Sequence, residues 1–209
     1  MMLGFNEPEF LSQTASAVAL RPQIEELVDR LVDQGFDNLF LVGAGGTYAQ
    51  MWPYEHLARR ASSLPVRSAI AAELIVSGDV TLGERSVVIF TSVSGTTDDS
   101  IRAIEYCKAR GAPTTVGFTG YADSPIAQSV DVALISEPKT WPFDMQMLLF
   151  MGTAARRRGE FDGYDKLADE LAGIPGVLVE VAKQGPSPWP PPSPRPTRTP
   201  TTTSSSAAE

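Results

Sequence analysis

The side chains best suited to chemistry in this sequence are hydroxyls gathered around one glycine, where a short apolar run meets a helical pattern. The segment reads TSVSGTT, and its key members are Ser92, Ser94, Gly95, Thr96 and Thr97. A glycine permits a tight turn or a close backbone approach. The free N–H groups of a helix's first turn attract anions, and added hydroxyl donors can wrap a phosphate without lysine or arginine. One of these hydroxyls could instead be an ordinary helix N-cap.

A second candidate loop, GAGGTYA, follows an earlier apolar run and begins at Gly43. The positions of Gly43 and Gly45 suggest a dinucleotide-binding fingerprint, but its third glycine would fall at position 48, where this chain has Tyr48. The spacing therefore disfavours NAD or FAD, and we expect no cofactor. The loop still offers a ligand the backbone N–H groups of Gly45 and Gly46 and the hydroxyl of Thr47.

Elements of two kinds must position these loops, and they alternate along the chain. Apolar runs predict strands over 38–43, 66–71, 86–92, 114–119 and 131–136. Helical patterns occupy 22–34, 47–62, 72–77, 97–110, 124–129, 142–158 and 164–183. Because the runs are apolar on both faces, they predict a buried five-stranded parallel sheet in a three-layer α/β/α sandwich. Ligands of such folds bind beyond the carboxyl ends of the strands, where both loops fall.

Composition divides the chain into four segments. These are N-terminal helices over 1–35, the α/β domain over 36–160, a helical linker over 161–184 and a tail over 185–209. We expect Gly173, Pro175 and Gly176 to break or kink the last helical pattern. The tail is rich in Pro, Ser and Thr and has little to bury, which predicts disorder, with a proline-rich docking segment as the alternative.

The overall charge limits the partners. The net charge is −8 with no basic block, so nucleic acid and anionic membranes are poor partners. The N-terminus does not read as a signal peptide, and the run MLLFMGTAA is too short to span a bilayer. A single cysteine, Cys107, excludes an internal disulfide and fits a reducing compartment. We therefore predict a soluble cytoplasmic protein without a metal site.

The two loops, in this order, resemble the sugar isomerase (SIS) domain family. The resemblance rests on GAGGTYA, then AAEL after the second strand, then TSVSGTTDD and KARGAPTTVGFTGYADSPIAQSVDVAL, and it covers residues 20–155. Its nearest members are the fructosamine-6-phosphate deglycases and the isomerase half of glucosamine-6-phosphate synthases. The family has a phosphosugar-binding α/β sandwich, so the resemblance implies a phosphorylated sugar or fructosamine as ligand. It also implies a homodimer or higher homo-oligomer.

The resemblance also assigns roles at the two loops. The implied phosphate-binding residues are Ser92, Ser94 and Thr97, with Gly95 as the turn, and the loop of Gly45, Gly46 and Thr47 on the same site. Synthase relatives have a glutamine between the two serines, where this chain has Val93. That difference leaves the identity of the sugar open.

Isomerisation and deglycation need a base near the first two carbons of the sugar. In two-domain relatives the glutamate and histidine come from a second SIS domain, which we do not find here. The one histidine, His56, falls within a helical pattern and is interpreted as a surface or packing residue. Glu73 of AAEL remains the candidate base, with a helix cap or an interface ion pair as alternatives.

A family chain would continue past Gln184 into a second glycine loop, where this chain turns to Pro, Ser and Thr. We interpret residues 185–209 as out of frame, or the gene as truncated. The chain would then be the phosphosugar-binding half of an isomerase or deglycase. Two alternatives stay open: an active single-domain isomerase that uses Glu73, and a non-enzymatic sensor that docks through its tail.

Overall fold

The computed structural model describes residues 6–111, 114–137 and 143–184. The strands are β1 (Asn38–Gly43), β2 (Val66–Ile70), β3 (Ser86–Ser92), β4 (Thr114–Thr119) and β5 (Val132–Ile135). The helices are α1 (Glu7–Ala19), α2 (Arg21–Gln34), α3 (Gly46–Ala61), α4 (Ala71–Ser77), α5 (Asp98–Ala109), α6 (Pro125–Ser129), α7 (Phe143–Arg157) and α8 (Tyr164–Gln184). The predicted alternation of strands and helices is confirmed.

The strands form one parallel sheet in the order β2-β1-β3-β4-β5. Val42 of β1 lies beside Phe90 of β3, and Ser92 at the end of β3 lies beside Thr119 of β4. The central strands β1 and β3 are buried almost throughout, as their apolar composition predicts. Strand β2 lies at the edge of the sheet, and among its residues only Val66 is buried.

Two hydrophobic cores lie on opposite faces of this sheet. Leu39 and Leu41 of β1 contribute to the core beneath α2, α3, α7 and α8, whereas Phe40 and Val42 contribute to the core beneath α4, α5 and α6. This alternation follows from the two-residue period of a strand. The predicted three-layer α/β/α sandwich is therefore confirmed.

Helix α7 had been predicted as either a buried or an interface helix. Its residues Phe143, Met147 and Met151 are at most 7% exposed and belong to the first core. The helix packs mainly against α2 and α3. Its apolar face therefore serves packing within the chain.

Helix α8 continues through Pro175, so the break that we expected there does not occur. A proline removes one intrahelical hydrogen bond and normally ends or kinks a helix. Here Leu171, Pro175 and Val179, spaced four residues apart, are all buried. Their packing against α1 and α7 stabilises a helix that the local sequence disfavours.

Helix α5 follows the hydroxyl-rich loop and carries the single cysteine on its buried side. Ala103, Ile104 and Cys107 are fully buried in the second core. Burial raises the pKa of the Cys107 thiol to about 12. The cysteine therefore acts as a packing residue here, since the reactive thiolate is scarce at neutral pH.

Two earlier expectations meet the limits of the described residues. The predicted disorder of 185–209, and the interpretation of that tail as out of frame, lie outside them. Within the described ranges, no helix is both long enough and apolar enough to cross a bilayer.

Candidate functional site

The hydroxyl-rich loop joins β3 to α5 at the carboxyl edge of the sheet. Ser92 ends β3 and is buried, and its Oγ lies 3.0 Å from Oγ1 of Thr97, just before α5. Ser94 and Thr96 are exposed, and their hydroxyl oxygens lie 2.8 Å apart. The structure therefore gathers all four predicted hydroxyls into one turn, where they pair with one another.

Gly95 holds this turn in place. Its φ is +66°, and a Cβ added there would lie 2.2 Å from Oγ of Ser124 and 2.8 Å from Oγ1 of Thr119. The Gly95 N–H donates to Ser92 Oγ at 3.1 Å, and the Gly95 carbonyl accepts from the Ile126 N–H at 3.0 Å. Glycine is thus required both for the backbone conformation and for space.

The start of α5 leaves donors directed at this loop. Thr97 occupies the N-cap position, yet its side chain makes no capping hydrogen bond, so the cap role considered above is not realised by Thr97. The first N–H bonded within the helix is that of Ile101, to the Thr97 carbonyl at 3.1 Å. The N–H groups of residues 98–100 precede it and, in the described part of the chain, have no backbone acceptor. An anion at this point would meet both N–H groups and hydroxyls.

The glycine loop leaves the sheet at the neighbouring strand, since β1 pairs with β3. Gly45 has a φ of +56°, and no atom lies within 4 Å of a Cβ added there. Gly46 is exposed at the first position of α3. The Thr47 hydroxyl accepts from the Ala44 N–H at 3.2 Å and donates to the Ala44 carbonyl at 3.0 Å. This loop is open, and its hydroxyl is folded back on its own backbone.

Glu73 lies apart from both loops, in the first turn of α4 after the edge strand β2. Its side chain is exposed, and within the described residues it makes neither a hydrogen bond nor an ion pair. Helix α4 has no side-chain cap, so Glu73 does not act as one. It lines a cleft of about 750 Å³ together with Tyr48 of α3. His56 is exposed on α3, as predicted for a surface residue.

Sequence reasoning missed the hydroxyls that support the loop from behind. Ser124 caps α6 by accepting from the Ala127 N–H at 3.3 Å, and it also limits the space at Gly95. Thr119 Oγ1 donates to the Val93 carbonyl at 3.4 Å. The Ser-Pro pair at 124–125 was a visible signal, since serine before a helical proline is a good N-cap. Its contact with Gly95 depends on tertiary packing.

Metal ligands do not form a group at this edge of the sheet. Among the side chains that the structure describes, no three His, Cys, Asp or Glu residues gather closely enough to hold an ion. The polar groups around the two loops are instead hydroxyls and backbone N–H groups, which suit an anionic ligand.

Comparison with known proteins gives relatives of one kind. The SIS domain family matches residues 36–154. The fructosamine deglycase FrlB of Bacillus subtilis is 33% identical over 107 residues, which are 51% of this chain and 32% of the deglycase. The isomerizing glutamine–fructose-6-phosphate aminotransferase of Brucella abortus is 31% identical over 166 residues, covering 70% of this chain and 26% of the aminotransferase.

Solved structures agree on the fold. The C-terminal domain of the glucosamine-fructose-6-phosphate aminotransferase from Francisella tularensis superposes with a TM-score of 0.67 at 15% identity. The match covers 86% of this chain and 56% of that domain. This chain therefore spans only part of each of these relatives. Since the family match extends over more than half of its residues, the chain belongs to the SIS domain family.

Proposed function

We propose that this chain binds a phosphorylated sugar at the loop between β3 and α5. The observation that carries the proposal is the pairing of the loop hydroxyls with one another, at a helix end with unbonded N–H groups. Each such hydroxyl can turn its proton toward a phosphate oxygen at the loss of one weak contact. Ser94 is the most accessible of the predicted ligands, since it is exposed whereas Ser92 is buried.

The relatives support a sugar phosphate as the ligand. Their names specify a fructosamine in one case and fructose 6-phosphate in the other. The neighbouring glycine loop supports the same site, because the N–H groups of Gly45 and Gly46 are open to solvent. Thr47 would join it by releasing its bonds to Ala44. The sugar would then lie between the carboxyl ends of β1 and β3.

The reaction is a further part of the proposal: this chain serves an isomerase or deglycase as its phosphosugar-binding domain. Glu73 stays the predicted base, and it is accessible in the cleft beside Tyr48. A carboxylate in solvent contact can accept a proton from a bound sugar only if the substrate reaches across β1. The geometry therefore supports binding more directly than it supports turnover.

The test is the Ser94→Asp variant, with fructose 6-phosphate as the ligand. A carboxylate at this exposed position would face the phosphate and repel it, so we expect at least a 100-fold loss of affinity, which corresponds to about 2.7 kcal/mol. Thermal stabilisation by the ligand and isothermal titration measure this loss. Folding should be unaffected, because Ser94 lies on the surface.

The matched control is Ser94→Asn, which has nearly the same size and no charge. It should retain binding within about 10-fold of the unmodified chain. Equal affinities of the Asp and Asn variants would show that no phosphate lies at this loop. Absence of any stabilisation of the unmodified chain by sugar phosphates would overturn the proposal as a whole.

A further inference from the structure

The geometry points to a second subsite: the cleft along β2 holds an amine-bearing substituent of the sugar phosphate, and Glu73 pairs with its ammonium group. This inference rests on the proposed function, because it concerns the part of the ligand beyond the phosphate. It assigns the cleft to one class of ligand, an alkylamine attached to the sugar.

The position of the cleft suits an extension of a ligand bound at the loops. At one end lie Tyr48, two residues into α3 after the glycine loop, and Glu73, at the carboxyl end of β2. At the other end lie Ser63 and Asp79, which precede β2 and β3. The cleft thus follows the whole open edge of β2, whose five residues span about 17 Å. That length accommodates an extended alkyl chain.

The charges in this cleft leave one carboxylate over. Arg67 Nη1 pairs with Asp79 Oδ2 at 3.0 Å, and Arg59 forms a close ion pair with Glu55. Two arginines and three acids line the cleft, so the balance of 2 − 3 is −1. Glu73 is the member without an ion pair or hydrogen bond in the described part of the chain. A ligand cation is the partner that would complete the set.

The paired acids stay ionised, so they cannot take over the role of Glu73. Burial opposes ionisation of Glu55, but hydrogen bonds from Ser68 and the charge of Arg59 outweigh it and lower the pKa of Glu55. The Ser68 N–H donates to Glu55 Oε2 at 2.8 Å, which fixes that carboxylate against the edge strand. Glu55 is therefore committed to the protein, whereas Glu73 is available.

Aromatic side chains beside the cleft also suit an alkylammonium ion. The rings of Tyr48 and Trp52 meet edge to face with centroids 5.7 Å apart, and Trp52 is 59% exposed. A second hollow, of about 490 Å³, contains Trp52 and shares Tyr48 with the cleft. Aromatic faces attract cations and pack against the methylene groups that carry them. An acidic carboxylate and an aromatic pair together favour an amine over a neutral or anionic substituent.

The chain as a whole agrees with this choice. Its net charge of −8 repels anions and attracts cations over a distance set by the ionic strength. The phosphate end of the ligand is held by local donors, and the amine end gains from the general field. The subsite would therefore let the chain prefer a fructosamine phosphate to the plain sugar phosphate.

The experiment compares two ligands that share one phosphosugar. One is fructose 6-phosphate, and the other is the 6-phosphate of a fructose–propylamine adduct, with a secondary ammonium on carbon 1. Isothermal titration of the unmodified chain should show the adduct binding about 3- to 30-fold more tightly, as one exposed ion pair and one cation–aromatic contact provide. In Glu73→Gln this preference should fall to less than about 2-fold. Affinity for fructose 6-phosphate should stay unchanged.

Two further variants sharpen the reading. Glu26→Gln removes an exposed carboxylate on α2, outside the cleft, and should keep the preference. Trp52→Ala should reduce the preference by about 3-fold without changing fructose 6-phosphate affinity.

Each other outcome overturns the subsite in a distinguishable way. Loss of turnover in Glu73→Gln, with both affinities and the preference retained, would identify Glu73 as the base. A change in oligomeric state in Glu73→Gln, with no change in ligand preference, would make the cleft an interface between copies of this chain. Failure of both ligands to bind the unmodified chain would reject the phosphate site, and the subsite with it.

Discussion

Hydroxyl side chains occur at both ends of the sheet, but their partners differ. At the amino ends they donate to carboxylates: Ser62 and Ser63 to Glu160, Thr81 to Asp79, and Thr115 to Asp131. In the two loops at the carboxyl ends they pair with one another or with their own backbone: Ser92 with Thr97, Ser94 with Thr96, and Thr47 with Ala44. The same residue types thus have two different electrostatic environments.

This difference separates a structural use of hydroxyls from a binding use. A hydroxyl has one proton, and a proton donated to a carboxylate forms a strong charge-assisted bond that a ligand cannot easily displace. Two hydroxyls that face each other share a single neutral bond, so one proton remains free to turn toward an anion. The partners of a serine, rather than its presence at a loop, therefore indicate whether it can bind phosphate.

Gly95→Ala should have the largest effect, because it breaks the loop at the carboxyl edge. Backbone strain of about 1–3 kcal/mol and overpacking of about 1–3 kcal/mol against Ser124 should together destabilise the chain by about 2–5 kcal/mol. Gly45→Ala is the matched control, since it has the strain without the clash. Urea unfolding followed by circular dichroism measures both. Equal losses for the two variants would contradict the crowding described at Gly95.

Glu160→Gln tests the amino edge, with a smaller effect. Burial opposes ionisation of Glu160, but hydrogen bonds from Ser62 and Ser63 outweigh it and lower its pKa from the usual 4.5 to about 2. A lowered pKa in the folded state means that the ionised carboxylate stabilises the fold at neutral pH. We expect the variant to be about 1–3 kcal/mol less stable at pH 7.

The pH dependence gives the sign of this contribution. The stabilisation by Glu160 is present above pH 4.5 and is lost as the pH falls from 4.5 to about 2. The difference in unfolding free energy between the unmodified chain and Glu160→Gln should therefore narrow over that window. A difference that stays constant with pH would mean that the carboxylate is not held in its ionised form.

The smallest effect sharpens the comparison directly, through one serine from each edge. Ser63→Ala removes donors to Glu160 and should cost about 0.5–1.5 kcal/mol of stability with no effect on ligand binding. Ser94→Ala should change stability by less than about 0.5 kcal/mol, yet weaken fructose 6-phosphate binding about 10-fold. Urea unfolding and titration of the same two variants measure both quantities. The reverse pattern would show that the two edges had been assigned the wrong way round.

Local sequence predicted the elements well and their neighbours poorly. The strand β3 has its predicted bounds, because its apolar run ends abruptly at the hydroxyls. The edge position of β2 was not predicted, since strand order depends on contacts distant in sequence. Pro175 misled for the same reason: its local preference opposes a helix, whereas burial on the core permits one.

The site shows the same division. The spacing of serines and glycines identified both candidate loops, because tight turns and helix ends have local signatures. Two features depended on tertiary structure: the crowding of Gly95 by Ser124, and the isolation of Glu73 among paired charges. Neither is encoded near the residue concerned, so only the folded chain reveals them.

The buried thiol of Cys107 has a practical consequence for experiments on this loop. Because the thiol lies on the same helix that begins at the loop, and its pKa is raised to about 12, an alkylating reagent can reach it only when α5 lifts from the sheet. The rate of alkylation is therefore a built-in clock for the opening of that helix. A ligand held at the start of α5 should slow the clock, without any label having to be introduced.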